Sequence, residues 1–424
     1  MLERAQPAQA GRRGVALYVG ALLGPGLLVL PGLAAGLAGP ASILAWAGLL
    51  ALSGLFAVVF AALGVALPGG VAGYARSGLG PAGGRVAQWC FRAGVISGAP
   101  VVCLMGAGYV AGPLELGRGG TVLIAGLLLV TALGLTSRGL HSSTTVQFLL
   151  VTVLLLGIAV AVVGALPSAD AAHFTPFAPH GWASIGSAAM VLMLSFVGWE
   201  AIASLTGHFA DPRRDLPRVI AVAFLITAVI YLALATVTVA ALGPAAATDV
   251  PMAALFAFSL GDAGAVVAAG CAVLLTLGAV NAYLAGAVGD RRPGGAPWFL
   301  PAVAGSGALV FAGAGTGVVS VATAVTVPTA FFLVVYLVST VAAGRILQGW
   351  ARAAAVAAAL GVIMVLAFSG WALVPAALLA VVAAVGRSRF GARSLARRPL
   401  PYGEARCATN RSETTLRQES GMTR

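Results

Sequence analysis

A series of long apolar segments runs from residue 14 to residue 386, and it constrains the fold more than any other feature of the chain. A helix needs about 20 mostly apolar residues to cross a bilayer. Because lipid offers the backbone no hydrogen bonds, segments of this length cross as α-helices. We therefore predict an all-α integral membrane protein with about 12 transmembrane helices. The predicted spans are 14–37, 41–66, 86–111, 120–136, 142–166, 183–206, 218–242, 256–288, 298–318, 322–344, 350–368 and 371–386.

Composition excludes a water-soluble globule. Charged residues make up 8% of the chain and apolar residues 60%, whereas soluble domains contain about 25% charged residues. We predict a cytoplasmic N-terminal segment at 1–13 and one transmembrane domain at 14–386. The remaining segment, 387–424, is Arg-rich, polar and without apolar periodicity, and we expect it to be disordered.

The placement of the arginines predicts orientation. All 24 basic residues are Arg, and cytoplasmic loops of membrane proteins are enriched in basic residues. With twelve spans, almost every Arg outside a span lies on the same side as both termini, and Arg118 is the exception. Arg92 falls a turn or two inside the third span and is expected to reach back to that side. The sequence thus predicts a multi-pass inner (plasma) membrane protein with cytoplasmic termini, its Arg near anionic lipid headgroups and not on nucleic acid.

The first span contains a helix-breaking motif, Gly24-Pro25-Gly26, with Pro31 following. Proline removes a backbone donor and clashes with the preceding turn, and glycine adds conformational freedom. Unwound backbone at membrane depth is tolerated where it is buried in protein or lines a wet cavity, and its free groups can bind a substrate. A proline kink used only for packing is the alternative.

The sixth span contains a carboxylate. Glu200 follows Phe196-Val197-Gly198-Trp199 and is the only acid in the core of a predicted span. An ionised acid at this depth costs about 2.5–3.5 kcal/mol on insertion scales, so burial favours its neutral form. Glu200 is therefore a candidate for a group that gains and loses a proton, or a neutral acid that hydrogen-bonds for packing.

The two features fall in spans one and six. Helix breaks at corresponding positions of two halves indicate an inverted-repeat transporter with its site between them. The pattern predicts a 5+5 inverted repeat with broken helices 1 and 6, followed by two extra helices. The Gly-rich 67–85 segment and the 243–255 segment are expected to be corresponding loops on opposite faces.

At these residues the chain resembles the amino acid–polyamine–organocation (APC) superfamily. The resemblance is carried by Gly24-Pro25-Gly26 with Pro31, and by Phe196-x-Gly198-x-Glu200-Ala201. A polar turn into helix seven follows in the family and is matched by the segment 211–218. The resemblance covers most of 14–386 and implies the 5+5 fold of that superfamily.

Within the superfamily the sequence is most similar to bacterial L-methionine/branched-chain amino acid exporters. They share a P-x-G-G-V-A segment after helix two, to which residues 68–72 (Pro-Gly-Gly-Val-Ala) correspond without the x position, and an F-V-G-x-E-A run, matched by residues 196–201. Two departures concern substrate identity. Pro25 replaces the small or hydroxylated residue common in the family, which removes one N–H donor, and the 290–297 loop is shorter.

The resemblance implies roles for the two breaks. In the superfamily they bind the α-carboxylate and α-ammonium of the substrate, and the acid after the second break senses protons. Carried over, Glu200 is the proton-coupling residue. Trp199 is a candidate to close over an apolar side chain or, equally, an ordinary packing residue. The predicted substrate-binding residues are Gly24, Pro25, Gly26, Phe196, Val197, Gly198 and Trp199.

The segment after the sixth span combines both charge signs with two prolines, of which Pro217 suits the first turn of helix seven. A solvated connector and an ion-pair gate that moves during inward opening both fit this pattern. The cytoplasmic gate candidates are Asp211, Arg214, Asp215 and Arg218.

We predict a secondary active transporter that couples protons to the efflux of neutral apolar amino acids (Met, Leu, Ile or Val) by alternating access. An importer or exchanger of the same fold is the first alternative, because gradients and not sequence set the direction. Na⁺ coupling is disfavoured by the scarcity of acidic ligands. A membrane enzyme or sensor is disfavoured because no catalytic cluster or output domain is visible. No cofactor and no metal site are predicted.

Overall fold

Helices form almost all of the chain described by the computed structural model, which covers Val19 and residues 26–67, 70–139, 144–199, 212–288 and 297–386. No strand occurs within these ranges. The α-helices they contain are α1 (Gly26–Ala38), α2 (Ser42–Ala66), α3 (Gly70–Ala111), α4 (Gly117–Ser137), α5 (Thr144–Ala165), α6 (Ser184–Leu192), α7 (Pro212–Leu242), α8 (Pro251–Leu260), α9 (Ala263–Val288), α10 (Phe299–Thr316), α11 (Val321–Ile346), α12 (Gly349–Leu366) and α13 (Leu373–Val385).

Many of these helices are suited to a membrane. In the part of the chain described, eight helical segments are long and apolar enough to cross one, and four shorter apolar helices accompany them. These helices indicate a multi-pass membrane protein, and the number of about twelve crossings stays a prediction. The eight segments are Gly26–Ala66, Gly70–Ala111, Gly117–Ser137, Arg214–Ala246, Ala263–Ala287, Phe299–Thr316, Val321–Ile346 and Gly349–Leu366.

The predicted Gly-rich loop at 67–85 is wrong, since helix α3 already begins at Gly70. Gly80 divides α3 into a short and a long part with φ 76° and ψ −172°, a conformation open to glycine because it lacks a Cβ. Pro81 then stands at the first position of the long part, where its missing N–H costs no helical hydrogen bond. The low hydropathy of residues 67–85 predicted a loop, but the backbone is helical from Gly70 onward.

The single long span predicted at 256–288 is also wrong. Two helices, α8 and α9, occupy the region, and Gly261 separates them with φ 55° and ψ −136°. Asp262 follows Gly261, and both residue types favour turns, but the apolar residues on either side form one long stretch of high hydropathy. The predicted span ran across this turn, and the backbone conformation shows the division.

The polar turn predicted at 211–218 is wrong over most of its length, because α7 begins at Pro212 and continues past Arg218. Proline at the first helical residue forfeits no intrahelical hydrogen bond, and its fixed φ is that of a helix. Pro217 therefore lies inside the helix and not in its first turn. Asp211 lies outside the described residues.

The helices pack in two groups. Helices α1 and α2 contact α6 and α7, whereas α3 contacts α4, α9 and α10. Helix α11 lies along α3 and joins the groups, since it also contacts α2 and α6. Small residues permit this close approach: a Cβ at Gly94 would lie 3.0 Å from the Phe332 ring, and one at Gly98 would lie 3.3 Å from Pro328. Such small-residue contacts are typical of membrane helix packing, where dispersion replaces the hydrophobic effect.

A second compact unit begins at Val385. The structure describes its first two residues, Val385 and Gly386, both of which are exposed. The predicted N-terminal segment at 1–13 and the predicted tail at 387–424 lie outside the described residues.

Candidate functional site

The sixth predicted span loses helical geometry where the sequence suggested a break. Helix α6 ends at Leu192 and continues as a 3₁₀ turn over Met193–Phe196. Val197 is extended, with φ −75° and ψ 135°, and Gly198 has φ 145°. Backbone N–H and C=O groups are therefore released from the helical hydrogen-bond ladder in a buried region, where each requires another partner.

Three tyrosine hydroxyls supply partners to this unwound backbone. Tyr231 of α7 donates to the carbonyl of Ser195 at 2.7 Å, and Tyr283 of α9 donates to that of Val197 at 3.3 Å. Tyr336 of α11 accepts from the Gly198 N–H at 3.1 Å. Because the hydroxyls come from three different helices, the conformation of the break is tied to both helix groups.

The first and sixth spans meet at this point. A Cβ built on Gly26 would lie 3.0 Å from the Ser195 hydroxyl oxygen, so the start of the described part of α1 touches the break. Ser195 is 2% exposed, and its hydroxyl has no hydrogen-bond partner among the described residues. The structure thus brings together Gly26 and the 195–198 segment; Gly24 and Pro25 lie outside the described residues.

An aromatic cluster lies against the break on the side of α2 and α7. The ring centroids of Trp46 and Phe196 are 5.8 Å apart, those of Trp46 and Tyr231 are 5.0 Å apart, and those of Phe196 and Tyr231 are 5.1 Å apart. All three side chains are buried. The Trp46 indole N–H, like the Ser195 hydroxyl, has no partner in the chain as described. Two unpaired donors therefore accompany an apolar aromatic wall.

Val197 and Trp199 are both buried beside the break. The Trp199 indole N–H donates to the Ser53 hydroxyl of α2 at 2.9 Å, which fixes the ring against that helix. In this conformation Trp199 is a packing residue, and its predicted closure over a substrate side chain stays a prediction. Glu200, the predicted proton-coupling acid, lies outside the described residues.

The gate candidates occupy the first turns of α7. Arg214 and Arg218 are exposed and Asp215 is partly buried. No ion pair joins these three side chains in the part of the chain that the structure describes. The predicted gate therefore stays a prediction, and it depends on Asp211, which is not described.

Sequence reasoning missed Trp46, Ser195 and the three tyrosines. A tyrosine in an apolar span carries a hydroxyl that must find a partner when buried, so Tyr231, Tyr283 and Tyr336 offered a signal that something polar lay nearby. Nothing in the linear pattern identified the partner as the broken backbone. The described side chains that bond or pack against the break are aromatic, hydroxylic or aliphatic, and none is charged.

A second tyrosine-centred contact lies along α1. The hydroxyl of Tyr109 on α3 donates to the carbonyl of Leu28 and accepts from the N–H of Met252 on α8. Nearby, α1 approaches the segment before α8 so closely that a Cβ on Gly32 would lie 2.0 Å from the Thr248 carbonyl oxygen. Helix α8 and the segment before it therefore pack directly against α1.

Replacing Gly32 with Ala is expected to lower the thermal unfolding temperature in detergent. The added methyl overlaps backbone that cannot move independently, and overpacking of this kind costs about 1–3 kcal/mol. Gly48→Ala is the matched control, because a Cβ there meets nothing within 4 Å. Equal unfolding temperatures for the two variants would contradict the close packing of α1 against the segment before α8.

Comparison with known proteins gives a consistent family. The amino acid permease family matches residues 14–385. An uncharacterized amino acid permease of Bacillus subtilis, YecA, is 31% identical over 90% of this chain and 95% of its own length. The L-methionine/branched-chain amino acid exporter YjeH of Escherichia coli is 30% identical over 52% of this chain and 53% of its own length. The branched-chain amino acid permease BcaP of B. subtilis is 26% identical over 52% of each chain.

Proposed function

The chain belongs to the amino acid permease family, and from this premise we propose that it exports neutral apolar amino acids in exchange for protons. The family establishes a multi-pass transporter of amino acids and not an enzyme. The proposal adds the substrate class, the direction, the coupling ion and residence in the inner membrane with cytoplasmic termini.

The observation that carries the proposal is the broken backbone at 195–198 and its contact with Gly26. Carbonyl groups that leave a helix at membrane depth are suited to the ammonium of an amino acid. Those of Ser195 and Val197 each accept one bond from a tyrosine hydroxyl, and a carbonyl oxygen has two lone pairs. The Ser195 hydroxyl and the Trp46 indole N–H add two buried donors that lack a partner among the described residues. Buried polar groups are almost always paired, and a bound substrate or water would satisfy these two.

The character of the surrounding side chains supports a neutral apolar substrate. Phe196, Tyr231 and Trp46 form an aromatic wall, and no charged side chain is among the described residues that contact the break. Among those residues a cationic or anionic substrate side chain would find no counter-charge, at a cost that grows as water is excluded, and the proposal assigns the neighbouring Glu200 to the proton. Methionine, leucine, isoleucine and valine meet no such penalty.

The backbone also supports the 5+5 repeat. A short helix, a glycine with positive φ and a long helix occur twice, at Gly80 within α3 and at Gly261 between α8 and α9. The first unit follows span two and the second follows span seven, which are corresponding positions in two halves of five spans. In such repeats the moving helices rock about a site near the membrane midplane.

Counterflow in proteoliposomes tests the substrate class. Vesicles loaded with unlabelled methionine should accumulate labelled methionine and leucine, and unlabelled lysine or glutamate inside should drive no uptake. Reconstitution with and without an imposed pH gradient then tests coupling. Absence of counterflow with every neutral amino acid would contradict the proposed substrate, while the family assignment would stand.

An importer working on the same substrates is the second candidate, because one relative bears the name of a branched-chain amino acid permease. The thermodynamic direction follows from the gradients. Net flux measured in cells grown on limiting and on excess leucine distinguishes the two. Faster leucine accumulation in cells that contain the protein would favour import.

Ser195→Ala is expected to raise the apparent KM for methionine counterflow about two- to tenfold, since a lost hydrogen bond is worth about 0.5–1.5 kcal/mol. Stability should be unchanged, because the hydroxyl has no described protein partner to lose. Ser137→Ala, which removes an exposed hydroxyl on α4, is the control. A lower unfolding temperature with an unchanged KM would assign Ser195 to packing instead.

A further inference from the structure

Two tryptophans and an arginine form a cluster on the outer surface of α3 and at the start of α10. The rings of Trp89 and Trp298 stack with centroids 5.6 Å apart and planes 24° from parallel. The guanidinium carbon of Arg92 lies 5.8 Å from the Trp89 ring centre and 6.0 Å from that of Trp298. Trp89 is 40% and Trp298 41% exposed. We call Trp89, Arg92 and Trp298 the Trp–Arg cluster.

The guanidinium of Arg92 has no hydrogen-bond acceptor and no carboxylate partner in the described chain. A cation–π contact offsets part of its charge but supplies no hydrogen-bond acceptor for its five N–H donors. Arg85, on the same helix, shows the contrast: its Nε donates to the carbonyl of Ala383 at 2.9 Å and its Nη2 to that of Ala384 at 2.8 Å. Arg92 is therefore equipped for an anionic acceptor that the described residues do not provide.

The position of the Trp–Arg cluster along α3 indicates which layer of the membrane surrounds it. The part of α3 after Gly80 is about 46 Å long at 1.5 Å per residue, whereas the hydrocarbon core is about 30 Å thick. If that part is centred in the membrane, Arg92 lies about 8 Å and Trp89 about 4 Å inside the nearer edge of the core. Tryptophan is enriched at this depth, and an Arg side chain reaches from it to the headgroups.

We propose that the Trp–Arg cluster binds the phosphate of an anionic phospholipid. The planar guanidinium matches two phosphate oxygens with parallel N–H···O bonds, and the exposed indole rings lie where the glycerol and upper acyl chain of the same lipid would pack. The net charge of +12 favours an anionic over a zwitterionic headgroup. Because the Arg92 side chain reaches from this depth to the headgroup layer, the anions it meets there in high local concentration are lipid phosphates.

Native mass spectrometry of the full chain with phosphatidylglycerol or phosphatidylcholine tests the site. Wild type should retain phosphatidylglycerol preferentially, and Arg92→Gln should weaken that retention about fivefold, the factor expected for one basic residue near an anionic surface. Arg352→Gln, which removes an exposed Arg from α12, should behave like wild type. Equal retention by the Arg92 variant, or equal losses in both variants, would overturn the proposal, as would displacement of the lipid by millimolar inorganic phosphate.

Fluorescence quenching in the wild-type protein tests the proposed lipid site without relying on a variant that has to fold. Phosphatidylglycerol brominated near the headgroup should quench tryptophan fluorescence more than brominated phosphatidylcholine at the same mole fraction. The difference should disappear in a variant with Trp89→Phe and Trp298→Phe, which retains the other five of the seven tryptophans. Equal quenching by the two lipids in wild type would refute a headgroup-specific site.

Discussion

Glu200→Gln is expected to abolish the dependence of net methionine transport on a pH gradient while preserving counterflow. Glutamine has nearly the same shape as a protonated glutamate but cannot release a proton. In the proposed cycle the ionised acid, which costs about 2.5–3.5 kcal/mol at membrane depth, is tolerated only in conformations that hydrate or pair it. Without that titration the protein should still exchange substrate but should not couple the exchange to protons.

The measurement compares transport in proteoliposomes with an acidic exterior, an acidic interior and no gradient. Wild type should respond to the sign of the gradient, whereas the variant should give the same rate in all three. Glu115→Gln is the control, since Glu115 is an exposed glutamate between α3 and α4. A variant at Glu200 that retains the full response would remove this residue from coupling, and loss of counterflow as well would assign it to substrate binding or folding.

Gly198→Ala is expected to reduce counterflow by tenfold or more. Gly198 has φ 145°, a conformation that a residue with a Cβ adopts only with strain of about 1–3 kcal/mol. The alanine variant should relieve that strain by shifting the break, which displaces the Val197 carbonyl and the Gly198 N–H from their tyrosine partners. Because the proposed site consists of this backbone, small displacements should have large effects on transport.

Gly270→Ala is the matched control for that variant. Gly270 lies within helix α9, and a Cβ there meets nothing within 4 Å. Alanine in a regular helix is, if anything, more favourable than glycine, so counterflow and elution on size exclusion should match wild type. Wild-type counterflow by Gly198→Ala would show that the conformation of the break is unimportant for transport.

Hydropathy alone established much of this fold, for a physical reason. Within lipid each backbone group must be paired inside its own segment, so long apolar stretches have one structural solution. The boundaries of α2, α4, α10 and α11 in the structure lie within a few residues of the predicted spans.

Hydropathy gave wrong boundaries where a glycine sets the backbone conformation. At such positions the helix or turn is not accompanied by the apolar or polar residues that usually mark it. The helical turns at 70–79 resemble a loop in sequence because they are glycine-rich. The division at Gly261 was missed although Asp262 follows it, because the apolar residues on both sides carried the predicted span across the turn. In both places a single positive φ decided the structure. A dihedral angle of this kind depends on the packing of the helices on either side.

The candidate site shows the same limit. The sequence by itself determined that this is a membrane protein and that Glu200 is an unusual acid. It also predicted a break near Val197, which the structure shows, and one at Gly24–Gly26, which stays a prediction. Only the tertiary structure decided which groups meet there: the Ser195 hydroxyl against Gly26, and the hydroxyls of Tyr231, Tyr283 and Tyr336 on the unwound backbone. Local helix propensity depends on a few neighbouring residues, and hydropathy is read over one span. The contacts at the break join residues up to 169 positions apart (Gly26 and Ser195). Which residues meet there is therefore set by how whole helices pack.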